Sequence, residues 1–247
     1  MKSALNCHFF NVHPEYKPFI GSSYEKFRIL VVGESHYIGQ EYNAQTKDKY
    51  DIKYFLDNWL DSPCDELAKD YGDWFNTEKI IGNYMSGNRT KGHLIFTNIV
   101  KSFSSAVLNE KVNFISEEIV KRFDYFAFMN FFQMPSIFRG EKYWSSLEKS
   151  SKKLENKQFA YDLWYKVVDE SVLILNHVID QLKPQKIFMF SQSAYNAYIE
   201  NRNCKYKDII IHLDHAGCPW WYRTKKGCDK SSKELFEDYL KEYKTIK

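Results

Sequence analysis

The stretch "RILVVGESHYIG", residues 28–39, decides how the rest of the chain is read. Arg28–Val32 is mostly apolar and β-branched and predicts a buried strand. The strand runs into Gly33, after which Glu34, Ser35, His36 and Tyr37 place a carboxylate, a hydroxyl, an imidazole and a phenol in succession. A glycine followed by polar residues is also how an ordinary strand-to-helix turn looks. The cluster has two readings, a polar turn or chemistry at a strand end, and only its surroundings separate them.

Three further apolar runs read as strands: "YFAFMN" (125–130), "KIFMF" (186–190) and "DIIIHL" (208–213). Between them lie helical patterns, "GHLIFTNIVKSFSSAVL" (92–108), "FAYDLWYKVVDESVLILNHVIDQL" (159–182) and Ser193–Ile199. "DIKYFLDNWL" (51–60) has Ile52, Phe55, Leu56 and Trp59 at helical spacing, and "SSKELFEDYLKEY" (231–243) closes the chain as a helix. Ser231 or Ser232 there stands as the cap, with Glu234 completing a capping box. Residues 61–92 predict short helices or an insertion, and residues 136–158 a polar loop with some helix. Pro14, Pro18 and Gly21 make the first 26 residues an irregular lead-in. Apolar strands alternating with helices predict a sheet buried on both faces. The expected fold is α/β, a three-layer α/β/α sandwich around a central, mainly parallel four-stranded sheet. One domain spans 1–247, with a helical insertion around 51–124.

Hydrophobic residues make up 44% of the 247, enough for a sizeable core and too many for global disorder. A formal net charge of +3 does not by itself announce a nucleic-acid binder. Five cysteines, an odd number with no CxxC pair, suit reduced thiols and hence a cytoplasmic protein. No apolar run approaches the roughly 18 residues of a membrane span, so no membrane partner is expected.

In open parallel sheets, ligands bind beyond the carboxyl ends of the strands. Those ends carry Glu34 to Tyr37, then Asn130, then Asp214-His215. Asn130 either satisfies a loop backbone or presents an amide suited to a pyrimidine edge, and Phe131 beside it either lines a base pocket or fills core. His212, His215, Cys218 and Cys228 raise the question of zinc. Their spacing fits no familiar finger and His212 lies within a predicted strand, so no metal is expected. "HAGCPWWYRTKKG" (215–227) combines Trp220, Trp221 and Tyr222 with Arg223, Lys225 and Lys226. Apolar wedges beside phosphate-neutralising cations suit a protein that opens nucleic acid; the other reading packs the tryptophans under the loop and leaves the cations solvated.

Taken together, "GESHY" (33–37), "FMN" (128–130) and "HAG" (215–217) resemble the three strand-end motifs of the uracil-DNA glycosylase superfamily. The segment "LILNHVIDQLKPQKIFMFSQSAYNAY" (173–198) is similar to that family's helix, Lys-Pro, strand and helix stretch. "GESHY" with "FMNFFQ" looks similar to a bacterial branch of the superfamily. The resemblance covers about residues 28–37, 125–131 and 173–223 in preserved order. It implies a uracil-DNA glycosylase-like fold, DNA as partner, a part in DNA repair, no cofactor, and hydrolysis of an N-glycosidic bond on a base flipped from the stack. Glu34 would be the first-motif carboxylate, with Ser35 and His36 beside it, and His215 the group that stabilises the departing base. Asn130 would read the base edge, with Tyr37 and Phe131 nearby, and Trp220, Trp221, Arg223, Lys225 and Lys226 would face DNA.

The chain departs from the family pattern in three places. Ser35 stands where some branches have Asp, His36 where Pro is usual, and Ala216-Gly217 where Pro-Ser is usual. The cysteines do not supply the set that the iron–sulfur branch needs. An alternative follows, a catalytically inactive member that binds nucleic acid, a nucleotide or a protein partner. A hydrolase using Ser35 with His36 is a third reading, weakened because adjacent side chains rarely align and no GxSxG elbow is present.

Overall fold

The computed structural model describes residues 5–37, 58–62, 75–136, 157–224 and 227–245. The predicted helix at 51–60 and loop at 136–158 therefore lie mostly outside the described residues, as do Lys225 and Lys226. Described strands are β1 (Phe19–Ile20), β2 (Ile29–Tyr37), β3 (Phe126–Ser136), β4 (Lys186–Met189) and β5 (Ile210–His212). They form one sheet in the order β1-β3-β2-β4-β5, parallel except for β1. The expected sheet of four strands thus becomes five. The added edge pairs Phe19 with Phe128 and Ile20 with Ala127, and two residues are too few to show a period in the sequence.

"GESHY" is not a turn but the second half of β2. β3 also runs on, to Ser136, and the ladder continues through Gly33 with Asn130, Ser35 with Phe132 and Tyr37 with Ser136, with a register shift between the last two pairs. Backbone pairing to a neighbour satisfies the N–H and C=O groups whatever side chains they carry. Polar side chains thus hide a strand that its partner sustains.

The described helices are α1 (His8–Val12), α2 (Thr77–Met85), α3 (Leu94–Leu108), α4 (Glu117–Lys121), α5 (Lys157–Leu182), α6 (Gln192–Ile199) and α7 (Ser232–Thr245). Residues 91–93 form a 3-10 turn ahead of α3. Along α5, Leu163, Val167, Val168, Val172, Leu175, Val178, Ile179 and Leu182 are buried, the stripe expected of a helix lying on a sheet. It ends where Lys183 turns left-handed (φ 47°) before Pro184, which cannot continue a helix. Before α7 the capping box forms as predicted. Ser231 N–H donates to Glu234 Oε2 at 2.7 Å and Glu234 N–H donates to Ser231 Oγ at 3.3 Å.

Strand alternation divides the core in two. Leu30, Val32, Ala127, Met129, Ile187 and Met189 pack beneath α5 and α6. Ile29, Val31, Phe126, Phe128 and Phe188 pack beneath α3 and α7. The result is three layers, helix on sheet on helix. Among the described residues no helix is long and apolar enough to cross a membrane.

Candidate active site

The chain leaves β2 for β3 on one side, then crosses back through α5 to β4 on the other. The carboxyl ends of β2 and β4 therefore flank the point where strand order reverses, which is where open α/β sheets bind ligands. A cleft of about 840 Å³ opens there. Glu34, Ser191, Asp214 and His215 line its sheet side, residues of α5 and α6 form one wall, and Trp220 stands at the lip.

Each polar group on the floor is held by a neighbour. Glu34 continues the Leu30, Val32 face of β2 and so turns toward α5 and α6. Ser191, which follows β4, donates its hydroxyl to Glu34 Oε2 at 3.1 Å. The same hydroxyl caps α6 by accepting from Ala194 N–H at 3.1 Å. The carboxylate thus sits beside a helix N-terminus, a favourable position for negative charge. Ser232 bridges Asp214 by accepting from its N–H at 2.9 Å and donating to its Oδ2 at 2.8 Å.

His215 keeps an exposed edge in the cleft, yet the protein around it pushes the imidazole below its ordinary pKa by desolvation. Gly217 N–H donates to His215 Nδ1 at 3.1 Å. A neutral ring that accepts at Nδ1 carries its proton on Nε2, which becomes the donor offered to a ligand. A Cβ on Gly217 would lie 2.9 Å from His215 Cε1, so only glycine lets the ring seat here. The loop itself is pinned from α3. Asn98 Nδ2 donates to Ala216 O at 2.6 Å, and Tyr222 Oη donates to Asn98 Oδ1 at 2.9 Å.

The fold brings together Glu34, His215 and Trp220 from the residues that the sequence singled out. Asn130 is not among the lining residues: it packs on Gly33, where any Cβ would collide with its Oδ1. Ser35 and His36 are both buried, and no hydrogen bond joins them. His36 lies among Tyr16, Phe75 and Thr77, so the serine–imidazole relay is not formed. Phe131 is fully buried against Phe132 and Tyr198, and the backbone of Tyr37 pairs with Ser136.

The paired tryptophans separate. Trp220 is 60% exposed with the Arg223 guanidinium 4.8 Å from its ring centre, whereas Trp221 is wholly buried against Phe190 and Phe236. A facing role for Trp221 is thereby corrected to a core role. Among the described residues, no group of three or more His, Cys, Asp or Glu is placed to hold a metal ion.

Sequence reasoning gave no role to Asp214, Ser191 or the aromatic wall of α5, Tyr161, Trp164 and Tyr165. Asp214 was visible as a strand-end residue, and Ser191 had the signal of a serine directly before a helix. The wall also had a signal, tyrosines four apart on a helix whose buried stripe lies elsewhere. Comparison of the chain with protein-family models, with curated proteins and with solved structures finds no match.

Proposed function

We propose that the cleft hydrolyses the N-glycosidic bond of uracil or another modified base in DNA, as the sequence resemblance to uracil-DNA glycosylases implies. The observation that carries this reading is that Glu34, within β2, and His215, in the loop after β5 and 181 residues away in the chain, line one cleft with each side chain anchored. Bond breaking leaves the electron pair on the base and positive charge on the sugar; water then bonds to the sugar carbon, and the proton it loses passes by way of Glu34 to the departed base. Glu34, held by Ser191, stabilises that positive charge and orients the water. His215 hydrogen-bonds through Nε2–H to the base as negative charge grows there, and desolvation favours the neutral ring whose Nδ1 accepts from Gly217 N–H. The amides that line the cleft are Gln192, Asn196 and Asn201 rather than Asn130.

The test is incubation with single- and double-stranded oligonucleotides containing uracil, hypoxanthine or xanthine, followed by alkaline cleavage of abasic sites. Base release is expected, and Glu34→Gln should reduce it by about 100- to 1,000-fold. No product from any substrate with folded protein in excess overturns the reading. The orientation of Asn130 toward Gly33 favours a second reading, a family member that binds nucleic acid or a nucleotide without catalysis. It predicts equal binding by the native chain and Glu34→Gln with no product from either.

A further inference from the structure

Exposed aromatic rings gather at the cleft. Among the described residues, five aromatic side chains are strongly exposed, Phe114, Tyr161, Tyr165, Trp220 and Tyr222. Three of them, Tyr161, Tyr165 and Trp220, line this one cavity, and Tyr222 adjoins it in sequence. Leaving large apolar rings in water is unfavourable, so such a concentration marks a surface that a ligand covers. Tyr161 and Tyr165 are four apart on α5 and therefore neighbours on one face. Trp164 lies between them, its ring centre 5.5 Å from that of Phe132, which anchors the row to the core. Trp220 stands at the lip contributed by the loop after β5.

The charges say how a ligand must lie. Glu34 and Asp214 line the sheet side of the cleft, so phosphates are repelled from its floor, and Glu200, exposed at the end of α6, adds a further negative charge to the wall. Arg223, exposed and seated over Trp220, puts a cation outside, at the rim. A chain of flat rings joined by anionic links meets both conditions if its rings face in and its backbone follows the rim. Such a ligand must have free base faces, which a duplex has already stacked against one another.

We infer that the cleft takes single-stranded nucleic acid, with the bases beside the target nucleotide stacked on Tyr161, Tyr165 and Trp220 and a backbone phosphate at Arg223. The inference rests on the reading of the cleft as a nucleic-acid site and adds strand state and the binding surface. Stacking dominates the affinity, and few phosphates are neutralised.

The test measures fluorescence anisotropy of a labelled twelve-nucleotide thymidylate strand and of a duplex of equal length with the native chain and four variants. Single-strand binding should be tighter than duplex binding. Tyr165→Ala and Trp220→Ala should each weaken it by about 5- to 150-fold, the range for loss of one base–aromatic stack. Tyr165→Phe, which keeps the ring, should bind as the native chain does, and so should Phe114→Ala, whose ring lies outside the cleft. Melting temperatures of the variants check that each is folded. The slope of log affinity against log salt should be about −0.7 to −1.4, corresponding to one or two phosphates.

Absence of strand binding, equal affinity for duplex, or indifference to Tyr165→Ala and Trp220→Ala overturns the inference. Competition by thymidine monophosphate as effective as that of the strand also overturns it, in favour of a small-ligand pocket. The two proposals fail separately. Ring-dependent strand binding with no base release from any oligonucleotide removes the glycosylase reaction and leaves this surface. Base release from duplex that is untouched by Tyr165→Ala does the reverse.

Discussion

At the scale of single residues, two glycines are required by neighbours that fill the space a Cβ would take. Gly217 is glycine because the His215 ring fills the space a Cβ would take, 2.9 Å from Cε1 and 3.1 Å from Nδ1. Gly217→Ala must displace the ring or the loop, so base release should fall at least tenfold while the chain remains folded by circular dichroism. Gly33 is glycine because Asn130 packs against its Cα, which is why polar "GESHY" can open with a buried glycine inside a strand. The titration of His215 gives a signed prediction. Desolvation holds its pKa below the ordinary value, so the neutral ring persists as pH falls past about 6.5; protonation of Nδ1 at more acid pH ends the hydrogen bond from Gly217 N–H that seats the ring. A pH–rate profile should therefore be level through neutrality and decline on an acid limb below that value. His215→Gln should be slow and lack the limb, and an unchanged limb in that variant assigns it to another group.

At the scale of elements, the loop after β5 behaves as a part clamped from α3 and from α7. Asn98→Leu removes the amide that receives Tyr222 Oη and serves the Ala216 carbonyl. Leaving that buried carbonyl unpaired should cost about 1–3 kcal/mol in urea denaturation and should also slow base release by loosening His215. Adjacent tryptophans should give opposite results. Trp221→Ala should cost about 3–5 kcal/mol because a wholly buried indole leaves a cavity. Trp220→Ala, at a site 60% exposed, should change stability little and affect the ligand instead. Urea midpoints of the two variants make the comparison.

At the scale of the whole molecule, a sheet covered on both faces ties the cleft to two separate cores. Glu34 and the aromatic wall rest on the α5 and α6 side, while Asn98, Trp221 and the His215 loop rest on the α3 and α7 side. Acid should act on the second side. His93 and His215 both have pKa values lowered by burial, so the folded state resists binding protons that the unfolded chain accepts. Their contribution to stability is complete above the unfolded value of about 6.5 and is lost as pH falls through the lower folded values. Urea midpoints should drop between pH 7 and pH 5, and His93→Asn should drop less over that interval than the native chain.

The alternation of strand and helix, and the polar groups near the carboxyl ends of the strands, are written in local residue patterns. Arg28–Val32, "KIFMF" and "DIIIHL" are legible because burial on both faces demands continuous apolar runs. The cap at Ser231 is legible because it is built from residues three apart. Long-range pairing, by contrast, is what carries β2 on through Glu34 to Tyr37, because the ladder with β3, not the side chains, sustains it. It also decided that successive residues Glu34, Ser35 and His36 part company, and that Trp220 and Trp221 do the same. Composition names the groups along a strand or a loop. Which of them share a cleft depends on pairing and on which side of the backbone each side chain leaves, and those are settled by partners far away in the chain.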